Sequence, residues 1–450
     1  MARSPRTPNK SLADLLKQAQ MQQGQLARAV NRLGQQSGLD LQYAQPNASQ
    51  WIAGVEPKPE VRALIVEALS VRLGRPVTHA EAGLTPASLM LLPQGPDTVE
   101  ELMDIGKADM DPTRRTVLAA TLFSMALTVP AFTEAAAHAA DGSVSPGKAT
   151  TRIGASQVES VRKMTERIAD ILDEFGAGHA RPMAAAFLVN TVGPWLRAQA
   201  SEKVHADMLA ASSDLTYLTG WMAMYEKAHG LGQTYYVKAL KLAQEAQDHV
   251  TYCRTLRGMA LQASNLGHGQ KSLELADSAA EAAPTAGPRL VAFLRGQQAH
   301  AASMVGDRHQ AHARLRETEA ALAKADNRRD AIGGYDQTAY LFHVSHVLYE
   351  ERDLPGSIKA MKASIKVQPP QERQGRAHAY AVLAQRQQDY GHLDAACDSW
   401  GRFLDEYELV SSARGDDHFA TMRKRLAPHA KSRSVKVLAN RVHEVAALKS

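Results

Sequence analysis

From about residue 155 onward, apolar residues recur at helical spacing in runs that Gly or Pro interrupts every 15–20 residues. This pattern constrains the fold more than any other feature of the chain. Runs of that length form helices, and each apolar stripe must be covered by a neighbour, so consecutive runs fold back on one another. The breaks also fall into a longer register. With Gly267, Gly306, Arg352 and Gly391 as tight turns between paired helices, the turns lie 39, 46 and 39 residues apart. Leu256, Ala260, Ala276 and Ala279 flank the first turn, and Pro284 closes that unit. Leu341, Ser345, Met361 and Pro369 hold the same places around the third, and Tyr380, Ala384, Ala396 and Trp400 around the fourth. Abundant alanine and only 5% aromatics suit closely packed helices, and alternating strand-like runs are nearly absent, so the class is all-α.

Helical hairpins with Gly at the turn and Pro near the end are the signature of tetratricopeptide repeats, TPR. Residues 155–450 resemble a TPR-like α-solenoid with lengthened loops. The stretch 218–249 continues the pattern upstream, and a last helix from Ser432 to Leu448 caps the array with a polar outer face. Such arrays bind on a concave surface lined by the first helix of each hairpin. Counting from the turns puts Arg254, Arg257, Asn265, His300, His346, Tyr349 and Gln385 on that surface. Two arginines beside an amide suit a peptide, a small acidic molecule or a protein partner, with a merely solvated polar face as the alternative.

The N-terminal region reads differently. Leu12, Leu15, Leu16 and Ala19 form a helical stripe behind Ser11 as N-cap. Gln23-Gly24-Gln25-Leu26-Ala27 follows, and then Ser49-Gln50-Trp51-Ile52-Ala53-Gly54-Val55-Glu56-Pro57. Leu26, Ala27 and Val30 would wedge two helices together, Trp51 would anchor the second, and Gly54 and Pro57 would stop it. The patterns Gln-x-x-Leu-Ala and Ser-x-Trp-x-x-Gly-x-x-Pro resemble the XRE, phage-repressor-like helix-turn-helix class. With residues 60–84 they are similar to actinobacterial, Streptomyces-type regulators that join such a domain to TPR repeats. The resemblance implies a DNA-binding domain over residues 10–84 and transcriptional regulation as the function. It makes Gln45, Asn47 and Gln50 the base readers, Gln23 a brace, and Arg28, Arg32, Lys58 and Arg62 the phosphate contacts. One departure is an insertion of about eleven residues between Ala27 and Ala44, which demands a longer helix and loop before the recognition helix.

Charge agrees with that division. Residues 1–80 carry ten Lys or Arg against five acids, an excess equal to the net +5 of the whole chain. Residues 85–154 read as a linker. Within it, residues 112–140 imitate a twin-arginine export signal, with Arg114-Arg115 ahead of an apolar stretch from Val117 to Phe132. That stretch is shorter than a membrane-spanning helix and follows a hundred apparently folded residues, so it reads as a linker helix. Translation from Met110, giving an exported form, is the alternative. Two distant cysteines, Cys253 and Cys397, support neither a disulfide framework nor a thiolate metal site, which fits a cytoplasmic protein. His343 and His346 share one helix face but lack an accompanying carboxylate motif. Phosphate-loop, dinucleotide and nucleophile-elbow patterns are absent, so the expectation is no enzyme, no cofactor and no metal. The function expected is a homodimeric regulator that binds double-stranded DNA half-sites and senses a ligand through its array. A TPR interaction scaffold with a vestigial helix-turn-helix is the alternative.

Overall fold

A computed structural model describes residues 8–36, 39–73, 77, 79, 81–84, 97–111, 124, 132, 152–282, 287–325 and 335–449. The fold is an all-α solenoid preceded by a small helical domain, and the one β-type pairing among the described residues is an isolated bridge between Arg152 and Gln199.

Four helices make the N-terminal domain: α1 (Lys10–Gln18), α2 (Gln23–Gln36), α3 (Gln45–Ile52) and α4 (Pro59–Leu73). Their stripes, including Leu12, Leu16, Leu26, Val30, Trp51, Leu64 and Leu69, form a core of their own. The N-cap of α1 is Asn9, not Ser11. The Asn9 carboxamide accepts from the Leu12 amide (2.9 Å) and donates to the carbonyls of Ala82 (3.0 Å) and Gly83 (2.9 Å). A serine hydroxyl has too few donors to cap the helix and also tie down the closing segment. After α3 the chain turns at Gly54, whose φ is +91°, the left-handed stop that the sequence indicated. The insertion is pinned by Asn31, which exchanges two 2.8 Å hydrogen bonds with the backbone of Tyr43. That clip brings the chain back to α2 immediately before α3 begins.

Beyond it lie α5 (Thr98–Met110), α6 (Ala155–Phe175) and α7 (Ala177–Phe187), the last running through a π turn at Leu188–Val192 into α8 (Gly193–Leu196). Five hairpins follow. They are α9 (Glu202–Tyr225) with α10 (His229–Glu245), α11 (His249–Asn265) with α12 (Gly269–Glu281), and α13 (Pro288–Met304) with α14 (Arg308–Leu322). Then come α15 (Gln337–Glu350) with α16 (Leu354–Val367), and α17 (Arg373–Asp389) with α18 (Leu393–Tyr407). Helix α19 (Ala413–Leu426) packs on α17, and α20 (Arg433–Lys449) covers α18 as the cap.

Each hairpin turns on one residue of positive φ: Lys227 (+61°), Gly267 (+79°), Gly306 (+83°), Arg352 (+70°) and Gly391 (+88°). The four turns read from the sequence are all present. Lys227 adds a fifth at the same spacing, hidden because its residue is not glycine.

Two features depart from a simple tandem array. Helix α5, inside the span read as linker, is packed into the array by Leu102 and Ile105. It is held there by buried ion pairs of Glu101 with Lys238 and of Asp109 with Arg181. The array also closes on itself. The Ser411 amide donates to the Phe175 carbonyl (2.8 Å), the Gly178 amide to the Ser411 carbonyl (3.0 Å), and the Ala177 amide to Gln374 Oε1 (2.8 Å). Lys227 pairs with Asp417 at 2.7 Å across the same seam. A Cβ at Gly176 or Gly178 would collide with Ser411, so the seam requires both glycines.

Of the apolar stretch 112–140, only Ser124 and Phe132 are among the described residues. Ser124 exchanges two 2.8 Å hydrogen bonds with Gln233 of α10, and its hydroxyl donates to Glu67 of α4 at 3.0 Å. Phe132 lies against His249 (4.0 Å between centroids) and Tyr252 (4.9 Å). No helix among the described residues is long and apolar enough to cross a membrane.

Candidate nucleic-acid interface and candidate ligand cavity

The first candidate surface is the α2–α3 pair. Leu26 and Val30 of α2 and Trp51 of α3 are buried together, and Tyr43 meets Trp51 edge-on at 5.3 Å. The Ser49 hydroxyl of α3 donates to Gln23 Oε1, so Gln23 braces one helix against the other. This fixes α3 with Gln45 and Gln50 exposed at its solvent side. Gly24 leaves room for Gln45 to sit beside Arg28, which is also exposed.

The remaining candidates divide. Asn47 is engaged as a cap, its Oδ1 accepting from the Ala44 amide at 2.9 Å. Lys58 is exposed and, like Arg28, has no partner among the described residues. Arg62 is occupied: its Nε donates to the Pro57 carbonyl (2.9 Å) and lies 3.3 Å from Glu56. Arg32 is exposed, and its charge is felt by His268 in the α11–α12 turn, where burial and Arg32 together lower the imidazole pKa. Its guanidinium therefore lies on the side of the domain facing the array. Arg28, Gln45, Gln50 and Lys58 remain as exposed groups that share no internal partner.

The second candidate is the centre of the array. Because the ends meet, the concave face becomes a cavity of about 1040 Å³, walled by α6, α9, α11, α13, α15, α17 and α19. Among the groove residues read from the sequence, Arg257, Asn265, His300 and His346 line it. Arg254, Tyr349 and Gln385 do not. Arg254 pairs with Asp214 at 2.8 Å and stacks over Tyr217. Tyr349 lies under the guanidinium of Arg386, and Gln385 donates to the Ala381 carbonyl at 3.2 Å. One helical turn separates Arg254 from Arg257, yet only the first finds a carboxylate.

Arg257 is the most exacting group in the wall. Its side chain is 94% buried, since the residue is only 6% exposed. The guanidinium stands 4.2 Å from the ring centre of Phe293 and 5.6 Å from that of Trp221. It has no ion pair or hydrogen bond among the described residues, and its buried Nε is an orphan donor. Arg414 of α19 lies 4.3 Å over Tyr225 and feels Asp417 only at longer range, with no ion pair or hydrogen bond to it among the described residues. Four imidazoles, His300, His343, His346 and His378, line the inner face, and His418 contacts the last of them. His300 stacks near His346 (4.7 Å), and His378 Nδ1 is 2.9 Å from His418 Nε2. Phe342 lies between the two groups, and His343 is hydrogen-bonded to the Tyr335 hydroxyl at 2.8 Å. Burial first, and the charges of neighbouring arginines second, hold His300 down to about 4 and His418 to about 3, so both are neutral at pH 7. No group of three or more His, Cys, Asp or Glu among the described residues is arranged to hold a metal ion.

The α6 wall has the opposite sign. Asp173 faces the cavity and is open to its water, yet protein surrounds it. Burial, with Glu372 and Asp170 adding to it, pushes its carboxyl up to about 7. The arrangement combines aromatic faces, neutral imidazoles and two unpaired cations on one side with an acidic cluster on the other. Sequence reasoning missed Trp221, Phe293, Phe342, His378, Arg414 and Asp173. They lie on helices outside the four registers or at positions that face inward only because the ring closes.

Residues 12–85 match the family model of the SP15 N-terminal domain, a span that begins within α1 and ends at the segment closing the first domain. The match covers a minority of the chain. No curated protein matches the sequence.

Proposed function

We propose that the protein is a DNA-binding transcriptional regulator of the helix-turn-helix type whose helical array receives a signal. The observation that carries this reading is the α2–α3 pair, braced by Ser49–Gln23, with Gln45 and Gln50 exposed and Arg28 beside them. Helix α3 would enter the major groove by its N-terminal turn, where glutamine amides can bond bidentately to adenine. Arg28 and Lys58 would hold the phosphates, with Arg62 excluded from that role because it is paired internally. A cytoplasmic homodimer would place two such helices in half-sites about one helical turn apart, or a multiple of that.

A route for the signal follows from the contacts of Ser124. Gln233, to which it is bonded, lies on α10, the partner of α9, and α9 supplies Tyr217, Trp221 and Tyr225 to the cavity wall. A ligand that moves α9 would disturb the Ser124 contacts with Gln233 and Glu67, and through them the seating of the DNA-binding domain.

The test is a DNA-binding measurement across a range of salt on fragments enriched from a genomic library. Gln45→Ala should lose about 1–3 kcal/mol of discrimination at its base pair. Arg28→Ala should weaken binding to all sequences and reduce the salt slope by about one. Unchanged affinity in both variants would remove this docking, and a wild-type chain that enriches no fragment would leave a protein-interaction scaffold instead.

A further inference from the structure

We infer that the cavity of the array is a receptor for a small, flat, largely apolar monoanion of the aromatic carboxylate class, whose charged group pairs with Arg257 and Arg414. This deepens the signal-receiving reading above by naming the chemistry of the signal.

The argument starts from satisfaction. Buried polar atoms in folded proteins have partners, and a persistent exception needs an explanation. Here several exceptions face one space. Arg257 is 94% buried by its 6% exposure, carries no carboxylate partner and leaves Nε unbonded. His300, 7% exposed, leaves Nδ1 unbonded, and His346 leaves Nε2 unbonded. They lie on three different helices, α11, α13 and α15, and all line the same cavity. Arg414, on a fourth, adds a second guanidinium that makes no direct ion pair among the described residues. Unbonded buried atoms occur elsewhere in the array too, at Tyr236, Arg314 and Trp400 among others, but Arg257, His300 and His346 share one cavity into which a ligand could bring partners.

Their environment selects the ligand. An unpaired guanidinium held between aromatic rings is desolvated, so an arriving carboxylate supplies charge-assisted hydrogen bonds that water supplies poorly there. Trp221, Phe293, Tyr225 and Phe342 line the same space, which suits a flat apolar body. The acidic wall limits the charge. Asp173, with Glu372 and Asp170 acting on it, would repel a second negative group. The cavity volume of about 1040 Å³ accommodates a drug-sized molecule or smaller, and closure of the array at the Ser411 seam disfavours a folded protein domain as occupant.

The test uses the full chain without DNA, so its outcome is independent of whether the chain binds promoters. Isothermal calorimetry would compare 2-naphthoate, its neutral isostere 2-naphthamide, and the dianion 2-naphthyl phosphate. One naphthoate should bind per chain, at least about tenfold tighter than either of the others, the factor expected of one charge-assisted pair. In Arg257→Met and Arg414→Met, naphthoate should fall to the level of the amide. The surface variant Arg402→Met, at a side chain 71% exposed, should bind as wild type does. Both cavity substitutions should leave the unliganded protein folded, with a loss of melting temperature limited to the ring contacts that each guanidinium gives up. Equal affinity for naphthoate and naphthamide, no binding of naphthoate, or unaltered binding in both cavity variants would overturn the inference. If Arg257→Met failed to fold, the ligand ratio in wild type and the Arg414→Met result would still decide it.

Discussion

In the N-terminal domain, polar side chains that reach the interior join two segments. Asn9 ties α1 to the closing turn, Asn31 ties α2 to the insertion, and the Ser70 hydroxyl donates to the Val66 carbonyl while accepting from the Val77 amide. His79 Nε2 is the exception among that domain's described residues. The array leaves more buried atoms unbonded, some between its helices, as at Tyr236, Arg314 and Trp400, and some on its inner face, as at Arg257, His300 and His346. The first region offers Gln45, Gln50 and Arg28 to solvent on the α2–α3 side, whereas the array holds Arg257, His300 and His346 on an inner wall. On the proposed function, α3 would meet its partner outside the domain and the ring of first helices would meet its own inside the array.

The largest effect that could break this contrast is loss of independence of the first core. Trp51→Ala should cost about 3–5 kcal/mol and melt the N-terminal domain while the array stays folded. Urea unfolding followed by circular dichroism should then show an early small transition and an unshifted main one. A single merged transition shifted as a whole would show that the two cores are one.

A buried guanidinium with a partner should behave unlike one without. Asp109→Ala strips the carboxylate from Arg181, whose side chain is 7% exposed, and should destabilise the array by about 3 kcal/mol. Differential scanning calorimetry on this variant and on Arg257→Met gives the comparison directly. Equal losses in both would contradict the assignment of Arg257 as unpaired.

The inner face should also dominate the response to pH. The buried imidazoles have folded pKa values below their ordinary 6.5, His300 at about 4 and His418 at about 3, so the fold favours their neutral forms. Their contribution is complete above about pH 6.5 and is lost as pH falls from there toward those values. Asp173 has the opposite sign: its carboxyl is raised from 3.8 to about 7, so its penalty grows as pH rises across that interval. Thermal melts should therefore show His300→Gln reducing the loss of stability between pH 6.5 and 4. Asp173→Asn should stabilise at pH 8 and change little at pH 4.

The smallest effects sharpen the comparison at the turns. An added Cβ at Gly267 or Gly306 meets nothing within 4 Å, so Gly→Ala there should cost about 1 kcal/mol from backbone conformation alone. Arg352→Gly, at φ +70°, should return a similar amount. Chemical denaturation midpoints would check both directions.

Much of this architecture was legible in the sequence because it is local. The stripe Leu12, Leu15 and Leu16, the stop at Gly54, and the turns at Gly267, Gly306, Arg352 and Gly391 depend on residues a few positions apart. The Lys227 turn was hidden because a lysine there carries no signal of its positive φ. The true cap, Asn9, was missed because its reason is a contact with Ala82 and Gly83 more than seventy residues away.

The candidate cavity was legible only in part, for the same physical reason. Register counting places a residue on the inner face of its own hairpin, and it found Arg257, Asn265, His300 and His346. It could not tell that Arg254 would meet Asp214 of α9 while Arg257 would meet only rings. Nor could it place Asp173 and Arg414 in one cavity, because their proximity depends on closure at Gly176, Gly178 and Ser411. The sequence by itself determined the helices, their turns and the all-α solenoid, since backbone conformation and amphipathic period are set over a few residues. Only the tertiary structure decided that the solenoid closes, that α5 belongs to its packing, and which buried charges were left without a partner. Those outcomes depend on summed rotations across many hairpins and on contacts far apart in the chain.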